Sequence, residues 1–226
     1  MYARHSLVWL TAPGWLAAQA SLARAPAAES ASNHAAALRR WQENDWPLVA
    51  RRSDADLAPG EISLGLALPP DAASGIKVRI PLRAPAAAVA RTADPLALKA
   101  VLPALPAHWS GAMQGLIADS VGLSLRVFGS LALQALTGAA YVGPASDIDL
   151  LLYPATERQL RSGLALLEKY AALLPLDGEI VFPRGAAVAW KEWRAAEASG
   201  ARVLVKERDM VRLAPLNLLL ATLRAA

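Results

Sequence analysis

Two acids and a Gly-Ser pair are the residues of this chain best suited to chemistry. Asp147 and Asp149 stand two apart at the head of an apolar run, Asp147-Ile148-Asp149-Leu150-Leu151. In a strand that spacing turns both carboxylates to one face and Ile148 and Leu150 to the other. Neighbouring carboxylates repel each other and are costly to strip of water. A divalent cation relieves both costs, and Mg²⁺ suits an open site because it takes carboxylates plus phosphate oxygens and keeps several waters. The alternative is a solvated acidic pair at a strand start. Sixteen residues separate this pair from Phe128-Gly129-Ser130. A strand that ends in Gly can turn sharply and let a phosphate approach its backbone. A helix opening at Ser130 offers free N–H groups and a positive dipole end. The Ser130 hydroxyl adds one donor, with an ordinary N-cap as its plainer reading. Together these residues point to metal-assisted transfer from a phosphate anhydride such as a triphosphate.

Such a centre wants a third carboxylate on a neighbouring strand, near the attacking oxygen. Asp177-Gly178-Glu179 leads into Ile180-Val181-Phe182, and its two acids again share a face. Glu179 falls inside the expected strand and is the first choice, with Asp177 as the alternative. Glu207 and Asp209 follow another strand and are weaker rivals.

The elements that must position these groups follow from periodicity and turn chemistry. Strands are expected over residues 6–10, 47–51, 62–68 and 76–82, with a Pro-Gly turn at 13–14 and a helix over 27–41. On the fourth of these strands Lys77 and Arg79 would share a face, and with Arg39, Arg40, Arg51 and Arg52 they could form a basic patch. Residues 84–95 are rich in Ala, Pro and Thr and read as a linker. Beyond it helices and strands alternate: helices over 96–105, 112–121, 130–137, 156–174 and 216–224, strands over 125–128, 147–153, 179–182 and 203–206. That order implies an α/β (α+β) fold, with a smaller N-terminal α+β domain over 1–88 and a catalytic domain with a mixed sheet over 89–226.

The 226 residues are enough to bury a real core, and 55% hydrophobic against 19% charged residues marks a globular chain. The absence of Cys excludes disulfides, thiolate catalysis and Cys-based zinc sites. His5, His34 and His108 lack ligand spacing. Arg outnumbers Lys 18 to 5 at a net charge of +4, a balance that suits phosphate-bearing or acidic partners. Without a long basic run or an aromatic-basic stripe, no nucleic-acid partner is expected. Ala23-Arg24-Ala25 mimics a signal-cleavage site, but Thr11-Ala12-Pro13-Gly14 interrupts the apolar stretch before it. A cytoplasmic enzyme without a membrane partner is therefore expected.

The Gly129-Ser130 and Asp147-x-Asp149 pairs resemble the nucleotidyltransferase superfamily of the polymerase-β type. The fuller stretches Arg126-Val127-Phe128-Gly129-Ser130-Leu131 and Pro144-Ala145-Ser146-Asp147-Ile148-Asp149-Leu150-Leu151 are similar to the malonate decarboxylase holo-acyl-carrier-protein synthases, or phosphoribosyl-dephospho-CoA transferases. Arg4-His5-x-Leu7-Val8-Trp9-Leu10, Trp46-Pro47-Leu48-Val49-x-Arg51-Arg52 and Val188-Ala189-Trp190-Lys191-Glu192 extend the likeness over nearly the whole chain. The resemblance implies a donor, 2′-(5″-triphosphoribosyl)-3′-dephospho-CoA, and an acceptor, a serine of the apo acyl carrier protein subunit of malonate decarboxylase. On this reading Asp147 and Asp149 hold Mg²⁺, Gly129 and Ser130 grip the distal phosphates, and Glu179 or Asp177 serves the acceptor serine. Arg51, Arg52, Lys77 and Arg79 would face the carrier or the substrate phosphates. The rival readings are a nucleotidyltransferase that uses ATP and a non-catalytic nucleotide-binding protein.

Overall fold

A computed structural model describes residues 2–22, 31–71 and 74–224. The chain divides into two compact units, Met1–Asp94 and Pro95–Ala226. The small-residue motif at 23–25 and the first part of the helix expected over 27–41 lie outside the described residues.

The first unit is a five-stranded antiparallel sheet. Its strands are β1 (Leu7–Leu10), β2 (Leu48–Ala50), β3 (Glu61–Ala67), β4 (Arg79–Pro85) and β5 (Val89–Ala93), in the order β4-β3-β2-β1-β5. Helices α1 (Ala12–Leu22) and α2 (Ala31–Glu43) accompany it, α1 lying against β4 and α2. The Pro-Gly pair expected as a turn is instead the opening of α1. The Thr11 hydroxyl accepts from Gly14 N at 3.3 Å and so caps the helix, and Pro13 sits in the first turn, where its missing N–H costs nothing. The expected linker is also corrected. Val89–Ala93 pairs with β1 as an edge strand, its side chains mostly exposed, which is why no apolar alternation marks it. β4 begins only at Arg79, so Lys77 lies before the strand and does not share a strand face with it.

The second unit holds a seven-stranded sheet in the order β12-β11-β10-β9-β8-β7-β6. Its strands are β6 (Leu96–Ala97), β7 (Leu125–Phe128), β8 (Ile148–Leu152), β9 (Leu176–Val181), β10 (Ala187–Ala189), β11 (Val203–Lys206) and β12 (Val211–Ala214). Its helices are α3 (Ser110–Asp119), α4 (Gly129–Thr137), α5 (Glu157–Ala171), α6 (Trp190–Ser199) and α7 (Leu216–Leu220). Every neighbouring pair is antiparallel except β8 with β9, which run parallel because α5 carries the chain back between them. Thr156 caps α5 by accepting from Gln159 N at 3.2 Å, while the Gln159 carboxamide reaches back to Ala155 N at 2.8 Å. Leu160, Leu164 and Leu167 on α5 and Ile148, Leu150 and Leu152 on β8 join one core with Val127, Leu131, Ile180 and Trp193. The helix expected over 96–105 is a short strand followed by a 3₁₀ segment, Leu98–Ala104, with Pro103 denying it α-helical hydrogen bonds. β10 and β12 were not anticipated as elements. Among the described residues no helix is long and apolar enough to cross a membrane. The fold is thus mixed α/β, as expected.

Candidate active site

The site grows from the end of β7. Phe128 occupies the N-cap position of α4 and supplies no side-chain cap, so Ser130 is the second residue of the helix rather than its cap. Gly129 turns the chain with φ +68°. A Cβ at this position would lie 2.0 Å from Asp149 Oδ2 and 2.9 Å from its Cγ. Only Gly lets the first turn of α4 close over that carboxylate. The positive end of the helix therefore meets Asp149 at the place where the sequence places a phosphate grip.

Strand register supplies the rest. Phe128 pairs with Asp149 across β7 and β8, and Asp149 pairs with Asp177 across β8 and β9. Cα partners in register point to the same face, with strands about 4.8 Å apart. Asp149 and Asp177 are thus direct neighbours on the face opposite the core-facing Ile148 and Leu150. Asp147 is exposed just ahead of β8. The turn before it is closed by Ser146, whose hydroxyl accepts from Gly143 N at 2.9 Å, and Ile148 N then donates to Pro175 O at 2.8 Å. Gln134 on α4 steadies the same loop: its Oε1 accepts from Tyr141 N and Val142 N at 3.0 and 2.9 Å, and its Nε2 donates to Ala104 O at 2.7 Å.

Glu179 sits two pairs further along, opposite Leu151. It is buried, and Lys206 Nζ donates to its Oε1 at 2.8 Å. Asp177 is half exposed, with Lys191 Nζ at 3.5 Å from its Oδ1. Gly178 separates the two acids at φ +135°, and a Cβ there would stand 1.8 Å from Leu150 O. This close approach of β9 to β8 holds Asp177 and Asp149 in register. Sequence reasoning singled out neither Lys191 nor Lys206. Lys191 lies in a quoted motif but outside any expected strand, and only the pairing of β9, β10 and β11 brings either residue near the acids.

The basic residues expected to bind substrate or carrier lie in the first unit. Arg51 donates from Nε to Leu64 O at 2.8 Å and from Nη2 to Asp54 Oδ2 at 2.6 Å. Arg83 joins Asp54 at 2.9 Å and also grips Asp56. The hydrogen bond from Arg51 holds the Asp54 carboxyl below its ordinary value, Arg83 adds to this, and partial burial opposes it. Arg52, Lys77 and Arg79 are exposed.

A separate open cleft of about 500 Å³ lies between α3 and α5, lined by residues that include Val121, Leu123, Arg158 and Ser162. Its Asp119 already accepts from Lys169 Nζ at 2.6 Å and Tyr170 Oη at 2.9 Å, and none of Asp147, Asp149 or Asp177 lines it.

Among the described residues no group of three His, Asp or Glu side chains forms a ready-made metal cage. Asp147 and Asp149 nevertheless offer hard oxygen donors at an open strand head, a set that fits an ion completed by water and substrate phosphate.

Residues 96–217 match the family model described as the phosphoribosyl-dephospho-CoA transferase MdcG C-terminal domain, and residues 3–95 match its N-terminal domain. The chain is 39% identical over 219 residues to a phosphoribosyl-dephospho-CoA transferase of Xanthomonas campestris pv. campestris, covering 95% of each chain. A protein of the same name from Bradyrhizobium diazoefficiens is 34% identical over 218 residues, covering 93% of this chain and 88% of the relative. No solved structure matches the chain.

Proposed function

The chain belongs to the phosphoribosyl-dephospho-CoA transferase family, and from that premise we propose that it is a polymerase-β-type nucleotidyltransferase that completes the acyl carrier protein of malonate decarboxylase. The donor is 2′-(5″-triphosphoribosyl)-3′-dephospho-CoA and the acceptor a carrier serine. A bond forms between the serine oxygen and the phosphorus attached to the ribosyl 5″ oxygen, the bond to diphosphate breaks, and diphosphate leaves with the electron pair.

The observation that carries this reading is the row Gly129, Asp149, Asp177, held by a glycine that tolerates no Cβ and by continuous strand register. Asp147 and Asp149 would hold Mg²⁺, which when bound supplies charge neutralisation on the phosphoryl and leaving oxygens. The Gly129 and Ser130 end of α4 receives the distal phosphates. At the opposite end of the row Asp177 accepts the serine proton. Its exposure and its place beside Asp149 favour it over Glu179, which is buried against Lys206. Catalysis then rests on alignment of the serine and on preorganised charge. Exposed Arg52, Lys77 and Arg79 are suited to an acidic carrier surface, whereas Arg51 is engaged within its own unit.

The test is to incubate the protein with apo carrier, Mg²⁺ and the triphosphoribosyl precursor and to weigh the carrier. A mass gain of one phosphoribosyl-dephospho-CoA group with release of diphosphate is expected. Asp177→Asn should lower the rate about 10²–10⁴-fold, as for loss of a general base, while Glu179→Gln retains the chemical step. Adenylylation of a target by ATP, with no reaction of the precursor, would assign the site to a different nucleotidyl transfer.

A further inference from the structure

Lys191, at the start of α6, stands where the row of acids ends. Two lysines approach β9, and they differ. Lys206 hydrogen-bonds Glu179 at 2.8 Å, the length of a charge-assisted bond. Lys191 lies 3.5 Å from Asp177 and 5.7 Å from the centroid of the Trp190 ring, and its side chain is 56% exposed. That separation from Asp177 is too long for a charge-assisted hydrogen bond, so the ammonium keeps its donors while staying beside the acid.

Position gives this lysine a use. On the proposed function, on which this inference rests, the serine oxygen must come within about 2.6–3.2 Å of Asp177 to lose its proton. The Lys191 ammonium, a similar distance from the same carboxylate, is then within reach of the phosphoryl group that the serine attacks, because its four-carbon stem is flexible. The phosphoryl oxygen, whose charge is redistributed as the serine attacks, lies within that reach. The ammonium gives up no proton in such a contact, so the balance of the transfer is unchanged. We infer that Lys191 is a catalytic residue whose ammonium donates to a non-bridging oxygen of the transferred phosphoryl group as the serine attacks. A contact that strengthens only on the way to the transition state acts on kcat rather than on KM.

The experiment compares full-length wild type, Lys191→Met and Lys191→Arg with apo carrier, precursor and Mg²⁺. Lys191→Met should lower kcat by about 10²–10³-fold, the cost of losing one oxyanion donor, with KM for both substrates within about threefold and an unchanged thermal midpoint. Lys191→Arg should recover at least about tenfold of that loss, since it restores a cationic donor. A Lys191→Met kcat within twofold of wild type, in an enzyme that Asp149→Ala inactivates, would overturn the inference. So would a Lys191→Arg enzyme no faster than Lys191→Met. A wild type that transfers no group to apo carrier overturns the proposed function and this inference together.

Discussion

The two units use charge in opposite ways. In the first, Arg51 and Arg83 converge on Asp54, Asp56 closes on Arg83, and Arg91 pairs with Asp45. Asp45, Asp54 and Asp56 each meet a guanidinium, and the network ties β2, β3 and β4 together through the Leu64 carbonyl. In the second, Asp149 and Asp177 pair in register on two parallel strands with Asp147 just ahead of β8, and the nearby lysine is held loosely. Matched charges serve the fold, with modest gains where they are exposed. Like charges set side by side oppose folding, and a chain that keeps them uses them for something else.

The contrast breaks most sharply at Asp149. Asp149→Ala should abolish transfer by about 10³-fold or more, the loss of several kcal/mol of charge stabilisation. Its far-UV circular dichroism should match that of wild type, so that the loss is one of chemistry and not of folding. Carrier mass spectrometry and circular dichroism check the two halves of that statement. Gly129→Ala comes next. The added Cβ meets the Asp149 carboxylate and the positive φ is strained, so stability should fall by about 1–3 kcal/mol. Displacement of the carboxylate should cost about 10²-fold in rate.

Asp54→Asn should show the reverse pattern, with kcat unchanged and the thermal midpoint lowered at neutral pH. The sign follows from its lowered folded-state pKa. The stabilisation is complete above the unfolded-state pKa, near the ordinary 3.8, and is lost as pH falls through the lower folded-state value. Wild type should therefore lose stability on acidification below about pH 4, and the variant should show a flatter profile. The smallest effect is expected at the exposed cations. Arg52→Glu with Arg79→Glu should raise KM for the carrier a few-fold in steady-state assays, and the difference should shrink at high salt.

The catalytic half was legible where local pattern decides. β7, the Gly-Ser turn, α4 and the acidic head of β8 follow from apolar runs and one glycine, and the structure places them as that pattern requires. The choice between Asp177 and Glu179 was not legible. They share a face, and only the pairing of Asp149 with Asp177 and the burial of Glu179 against Lys206 distinguish their surroundings. β5 was hidden because Val89-Ala90-Arg91-Thr92-Ala93 is an exposed edge strand without an apolar side. α1 was hidden by Pro13-Gly14, which favour a turn except in the first turn of a capped helix. Of the seven tryptophans, Trp15, Trp41, Trp109, Trp190 and Trp193 are buried, in keeping with their reading as packing anchors.

The parallel pairing of β8 with β9 has a consequence for biosynthesis. Asp147 and Asp149 leave the ribosome well before Asp177, and the two groups become neighbours only after α5 has formed and swung the following strand alongside. A nascent chain halted between β8 and β9 carries Asp147 and Asp149 without Asp177. On the proposed function, a product terminated there would lack the group that takes the acceptor's proton.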